Sequence, residues 1–139
     1  MYQRALSVAF LVLAVLFFPA RPALALTDDE TVKLACGRTV KILSVSKVEY
    51  SKGIMALMVR YQTHLSVEQK KLLSEEVDDV WKLTQRQVEK LGYTEAILSS
   101  NEITKGIFLT ASRVQDFIYE KGSDGNWTRL NRADFMAAQ

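Results

Sequence analysis

The sequence is short of the residues that build covalent and metal-held frameworks. It has one cysteine, Cys36, and one histidine, His64. One cysteine excludes an internal disulfide, so the domain must stand on its hydrophobic core. One histidine excludes a His-based metal cage within a single chain. Two prolines, Pro19 and Pro22, both fall near the start. No G-x-G-x-x-G, phosphate-binding P-loop, G-x-S-x-G or H-E-x-x-H motif occurs, which argues against the common enzyme classes that use them. Blocks of like charge are absent too. The formal charge of +2 comes from Arg4 and Arg21, and without them sixteen basic residues balance sixteen acidic ones. A neutral domain has no bulk charge with which to hold nucleic acid or an anionic bilayer.

What is present begins with an export signal. Arg4 precedes an apolar run from Ala5 to Phe18, the two prolines break it, and Ala23-Leu24-Ala25 offers a small-x-small cleavage site. The run is shorter than the roughly 20 residues that span a bilayer. The reading is a signal peptide over 1–25 and one α+β domain over 26–139, exported to a periplasm or secreted, with no stable membrane span after cleavage. Cys36 is not a lipoprotein junction, because Asp28, Asp29, Glu30 and Lys33 separate it from the apolar run. Free cysteines are among the most buried residues, so Cys36 reads as buried and inert.

The chain is organised around Ser66 to Gly92, read as one amphipathic helix. Ser66 with Gln69 makes a capping box, and Gly92 suits a C-terminal cap. Leu73, Val77, Val80, Trp81, Thr84, Val88 and Leu91 recur at the helical period. Glu75, Glu76, Asp78 and Asp79 read as a solvated face beside that stripe. Thr27 and Glu30 form a second capping box, which places a short N-terminal helix over Asp28 to Cys36.

The rest alternates as strands. Val40 to Tyr50 is rich in β-branched and aromatic residues, with an apolar phase slip that places a bulge near Ser46. Ser51-Lys52-Gly53 is a turn, and Ile54 to His64 returns. Tyr93 to Ser100, Ile107 to Lys121 and Trp127 to Leu130 follow, the last two joined by a turn at Gly122 to Asn126. Asp124-Gly125-Asn126 lacks the alternating acids of a calcium loop. Asn131 to Gln139 carries a helical turn around Phe135. The order β-β-α-β-β-β gives an antiparallel sheet packed on one long helix.

One strand points to function. Met55, Leu57, Val59 and Tyr61 alternate on one face, and Ile54, Ala56 and Met58 on the other, with Arg60 next. A strand apolar on both faces is covered on both, and one helix covers only one. The first reading is a non-enzymatic exported binding or assembly domain, which takes a protein partner or a second copy of itself through the open sheet face, the intramolecular alternative being a covering N-terminal helix or C-terminal tail. The second is a carrier of a small apolar ligand in a sheet-lined pocket rimmed by Arg60, His64 and Tyr119. The third, and weakest, is a hydrolase or thiol enzyme using Cys36, His64 or a carboxylate not singled out. Ile54, Ala56, Met58, Arg60, His64 and Tyr119 are the candidate binding residues. No catalytic residue, metal or cofactor is assigned.

Overall fold

The computed structural model describes residues 25–103 and 113–130. The expected leader cleavage region before Ala25 and the helical turn over 131–139 lie outside those residues, as does the first part of the strand expected from Ile107. The described chain folds as one α+β domain, with six strands in a single sheet and one long helix.

The strands are β1 (Thr31–Lys33), β2 (Thr39–Ser51), β3 (Ile54–Thr63), β4 (Glu95–Glu102), β5 (Val114–Lys121) and β6 (Trp127–Leu130), and α1 (Lys70–Lys90) joins β3 to β4. Neighbours in the sheet are neighbours in sequence, from β1 to β6. Every pair is antiparallel except β3 and β4, which run parallel from Leu57 opposite Ala96 to Thr63 opposite Glu102. The fully antiparallel sheet expected from the sequence is corrected at that one place. Parallel neighbours need a long crossover, and α1 supplies it.

Tight turns set the hairpins. Lys52 and Gly53 both have positive φ, at 42° and 84°, which is the two-residue turn whose twist matches paired strands. The bulge expected near Ser46 is instead two irregularities, between Ile42 and Ser44 and between Glu49 and Ser51. Each lets the apolar phase of β2 slip without losing the pairing to β3. At the β5–β6 turn, the Asp124 carboxylate accepts the backbone N–H of Asn126 at 3.0 Å and its side-chain amide at 2.9 Å.

The expected N-terminal helix is a strand. The Glu30 carboxylate does reach back to the Thr27 N–H and hydroxyl, but the contact closes a turn at Asp28 and Asp29. Thr31 to Lys33 then pairs with Thr39 to Lys41. A free flank of β2 gives those backbone groups better partners than a one-turn helix would.

The helix keeps its expected stripe and ends as expected. Gln69 reaches back to the Ser66 N–H at 2.9 Å, but an intervening turn delays the helix to Lys70. Gly92, at φ 80°, closes it: the Gly92 N–H bonds the Glu89 carbonyl and the Tyr93 N–H bonds the Val88 carbonyl, the paired bonds of a Schellman cap. Leu91 is 55% exposed, outside the buried stripe.

Val77, Val80, Trp81 and Val88 of α1 pack on Val40, Ile42, Leu57, Val59, Tyr61, Ala96 and Leu98 of the central strands. Trp81 stacks on Tyr119 at 4.2 Å and meets Trp127 edge-on at 5.0 Å, which holds the β5–β6 hairpin against the helix. Trp127 donates its indole N–H to Glu89 at 2.7 Å.

Two acids expected in solvent are buried. Glu76 is 1% exposed, and Arg38 donates its Nε–H to Glu76 Oε2 at 3.1 Å. Asp79 accepts the Cys36 backbone N–H at 2.9 Å and pairs with Lys82 at 3.0 Å. The Lys82 hydrogen bond holds the Asp79 carboxyl below the usual carboxylate range. These acids strap the β1–β2 hairpin to the helix. Removing one partner of a buried ion pair strands the other charge, so Arg38→Met costs about 3 kcal/mol and Arg38→Met/Glu76→Leu recovers most of it. Urea denaturation measures both. A single-variant cost below about 1 kcal/mol would place the pair with ordinary surface bridges.

Candidate functional site

The helix packs on one face of the sheet. Among the described residues, no helix or second sheet packs on the other face. Register and the two-residue period place its side chains in rows across the strands. Ser46, Met58, Ile97, Ile118 and Leu130 stand directly opposite one another in turn, on five consecutive strands. That row is apolar from β3 to β6. On one side of it runs a polar row, Ser44, Arg60, Ser99 and Asp116. On the other, Val48 opposes Ala56, and Glu95 opposes Glu120, which opposes Thr128.

Glu95 opposite Glu120 is the feature that ordinary sheet packing does not explain. Like charges directly across an antiparallel pair are destabilising. Glu95 is 7% exposed, and among the described residues its Oε2 has no hydrogen-bond partner. A buried polar atom without a partner costs about 1–3 kcal/mol. Burial, and next the Glu120 charge, raise the Glu95 pKa above the ordinary carboxylate value. The same two carboxylates also reach Tyr50, whose pKa is raised by burial, then by Glu95 and by Glu120. Two acids and a phenol therefore converge beside an apolar row. The arrangement can accept a cationic group, or hydrogen-bond donors, from outside.

The sequence-derived candidates divide across the fold. Ala56, Met58 and Arg60 lie together on this second face; Ala56 is fully buried and Met58 half-buried. Arg60 leans towards the Asn101 side chain, at 3.5 Å. Ile54 sits at the hairpin end of β3, opposite Ser51 and 43% exposed. His64 is exposed just after β3. Tyr119 lies on the helix side, where its hydroxyl donates to Asp78 Oδ1 at 3.1 Å beside Arg129, itself 2.9 Å from that oxygen. It is not brought together with Met58 and Arg60. Glu95, Glu120 and Tyr50 were not singled out by the sequence. The signal that could have found Glu95 is a carboxylate directly before Ala96-Ile97-Leu98, at the mouth of an apolar strand.

The remaining polar clusters are different in kind. The Tyr61 hydroxyl and Glu76 Oε1 are buried without hydrogen-bond partners between helix and sheet. Burial, and next the Glu76 charge, push the Tyr61 pKa far up. Both atoms are sealed in the core. Cys36 is exposed, contrary to the buried thiol expected, because the Gly37 turn carries it out from the sheet while its backbone is held by Asp79. No hydrogen bond joins Cys36 to His64 among the described residues. A groove of about 530 Å³ lies beside the start of α1, lined by Val67, Lys70, Arg113, Val114 and Gln115. Among the described residues no group of three or more His, Cys, Asp and Glu is placed to hold a metal ion, and no helix is long and apolar enough to cross a membrane. Comparison with known proteins finds no matching family model, curated protein or solved structure.

The Glu95 environment sets a pH dependence. The folded protein holds the Glu95 proton more tightly than the unfolded chain does. Ionising Glu95 therefore costs stability, and the cost grows as pH rises from about 4.3 through the raised folded value. Glu95→Gln is expected to raise Tm by a few degrees at neutral pH, with the gain shrinking as pH falls towards about 4.3. Calorimetry across that range tests it. A lower Tm at neutral pH would mean that the ionised Glu95 is stabilised where it stands.

Proposed function

We propose that this chain is an exported, non-enzymatic binding module that receives a protein segment on the second face of its sheet. Export rests on the apolar run and small-x-small site at the start of the sequence. The binding reading is carried by one observation: Glu95 and Glu120 face each other across β4 and β5, with a buried carboxylate oxygen left without a donor. Such a site is costly to the free protein, and a cationic group would relieve the cost.

The neighbouring row gives the partner its second property. Met58, Ile97, Ile118 and Leu130 lie one row away, so a segment with a basic side chain over the acids places its apolar side chains there. Among the described residues the site lies on a face of the sheet. That placement suits recognition of a chain better than acid–base chemistry on a small substrate. A carrier of a small apolar ligand draws less support, because Tyr119, one of its expected rim residues, lies on the helix side, away from Met58 and Arg60.

The test is a titration of isotope-labelled protein with an extended synthetic peptide that alternates lysine and leucine. Amide shifts are expected to move around Glu95, Ile97, Ile118 and Glu120. Glu120→Lys is expected to weaken binding by about tenfold or more, the scale of one close charge pair reversed. Shifts confined to the helix side, or binding indifferent to Glu120→Lys, would overturn the reading.

A further inference from the structure

Strand β2 is long, and its outer flank is covered only at the start. β1 pairs with Thr39 to Lys41. Beyond that, the Glu30 carbonyl accepts the Ile42 N–H at 2.7 Å, and the Asp28 carboxylate accepts the Val45 N–H at 2.8 Å. The Val45 N–H therefore points away from β3. In an antiparallel pair, alternate residues point their backbone groups to the same side. Lys47 and Glu49 must then also present N–H and C=O outward. Register with β3 is unbroken from Ser44 to Glu49, so this flank is regular. Among the described residues no strand lies against it.

An open regular flank is a template for another strand, and proteins usually blunt it with charge. The charges here do something else. Lys47, Val48 and Glu49 read as basic, apolar, acidic. Turned by a two-fold axis through Val48, an antiparallel copy sets each Lys47 directly opposite the other copy's Glu49. Both residues point their backbone groups outward, so the two pairs form four N–H···O=C bonds. Their side chains share one face of the strand, where opposite charges sit across from each other. On the other face Val48 meets Val48. Lys47 has no carboxylate partner among the described residues. The Glu49 Oε1 accepts the Gly53 N–H at 3.0 Å, which leaves its second oxygen for the lysine.

We infer that the outer flank of β2 is a self-complementary docking edge for a second copy of this chain, centred on Val48. The symmetry is isologous, as a two-fold dimer requires, and the contact is strand addition between edges. It joins two six-stranded sheets into one, with both second faces on the same side. The inference is independent of the partner proposed for that face.

Sedimentation equilibrium of the purified protein over a concentration series tests it. The expected result is a reversible dimer weakened by salt. Lys47→Glu and Glu49→Lys each replace two attractive cross-strand pairs by repulsive ones and are expected to raise the dimer dissociation constant by about tenfold or more. The double variant Lys47→Glu/Glu49→Lys restores opposite charges and is expected to recover the dimer. Circular dichroism checks that each variant keeps the fold. Glu120→Lys, which acts on the second face, leaves the dimer unchanged. A wild-type protein that stays monomeric, or a double variant that dimerises no better than the single ones, overturns the inference.

Discussion

A sheet has two faces, and among the described residues one helix packs on this sheet, on one face. The consequence runs through every strand near the middle. On the helix side, Leu57, Val59, Tyr61, Ala96 and Leu98 are closed off by Val77, Val80, Trp81 and Val88. On the other, Ala56, Ile97, Ser99 and Asn101 are buried as well, although no described element packs there. Among the described residues none supplies a donor for Glu95 Oε2. The apolar row and the carboxylate pair are thus two results of one asymmetry.

The helix side shows how the same chain handles buried charge when it has partners to offer. Asp78 receives both the Tyr119 hydroxyl and Arg129. Asp79 receives a backbone N–H from the β1–β2 turn and a lysine. Glu76 receives Arg38. Glu76 and Asp79 tie α1 to the β1–β2 hairpin and Asp78 ties it to β5 and β6, so the helix is fixed in orientation as well as depth. Charge-assisted bonds of this sort are the stronger hydrogen bonds, and Glu95 Oε2 has no hydrogen-bond partner among the described residues.

Much of this was legible in the sequence, for identifiable reasons. The long helix, its Gly92 stop, the β2–β3 hairpin and the β5–β6 turn rest on local periodicity and turn chemistry, which a single sequence carries. The two-faced apolar pattern of β3 points to the second face. What the sequence withheld was pairing. Glu95 and Glu120 become a site only when β4 lies against β5 in one register, and no local pattern sets that register. Glu76 and Asp79 read as solvated because their partners, Arg38 and the Cys36 backbone, come from a hairpin far away in the chain. Thr27 to Cys36 failed for a related reason: the capping contact formed, but a strand edge outcompeted the helix it would have started. The parallel β3–β4 pair was within reach, since a strand, one helix and a strand in succession favour that geometry.

The single parallel pair also divides the molecule in time. β1, β2 and β3 form one meander, and β4, β5 and β6 another, each held by contacts between strands that follow one another in sequence. Among the strand pairings, that of Leu57 to Thr63 with Ala96 to Glu102 joins the two, and it closes a loop that contains the whole of α1. Loop closure must be met before such a contact returns any energy. Local hairpins can therefore assemble quickly on either side, while the joining of the halves waits for the helix to form and fold back. Trp81 is placed to act in that step, since it touches Tyr119 and Trp127 of the second half from a helix that leads out of the first.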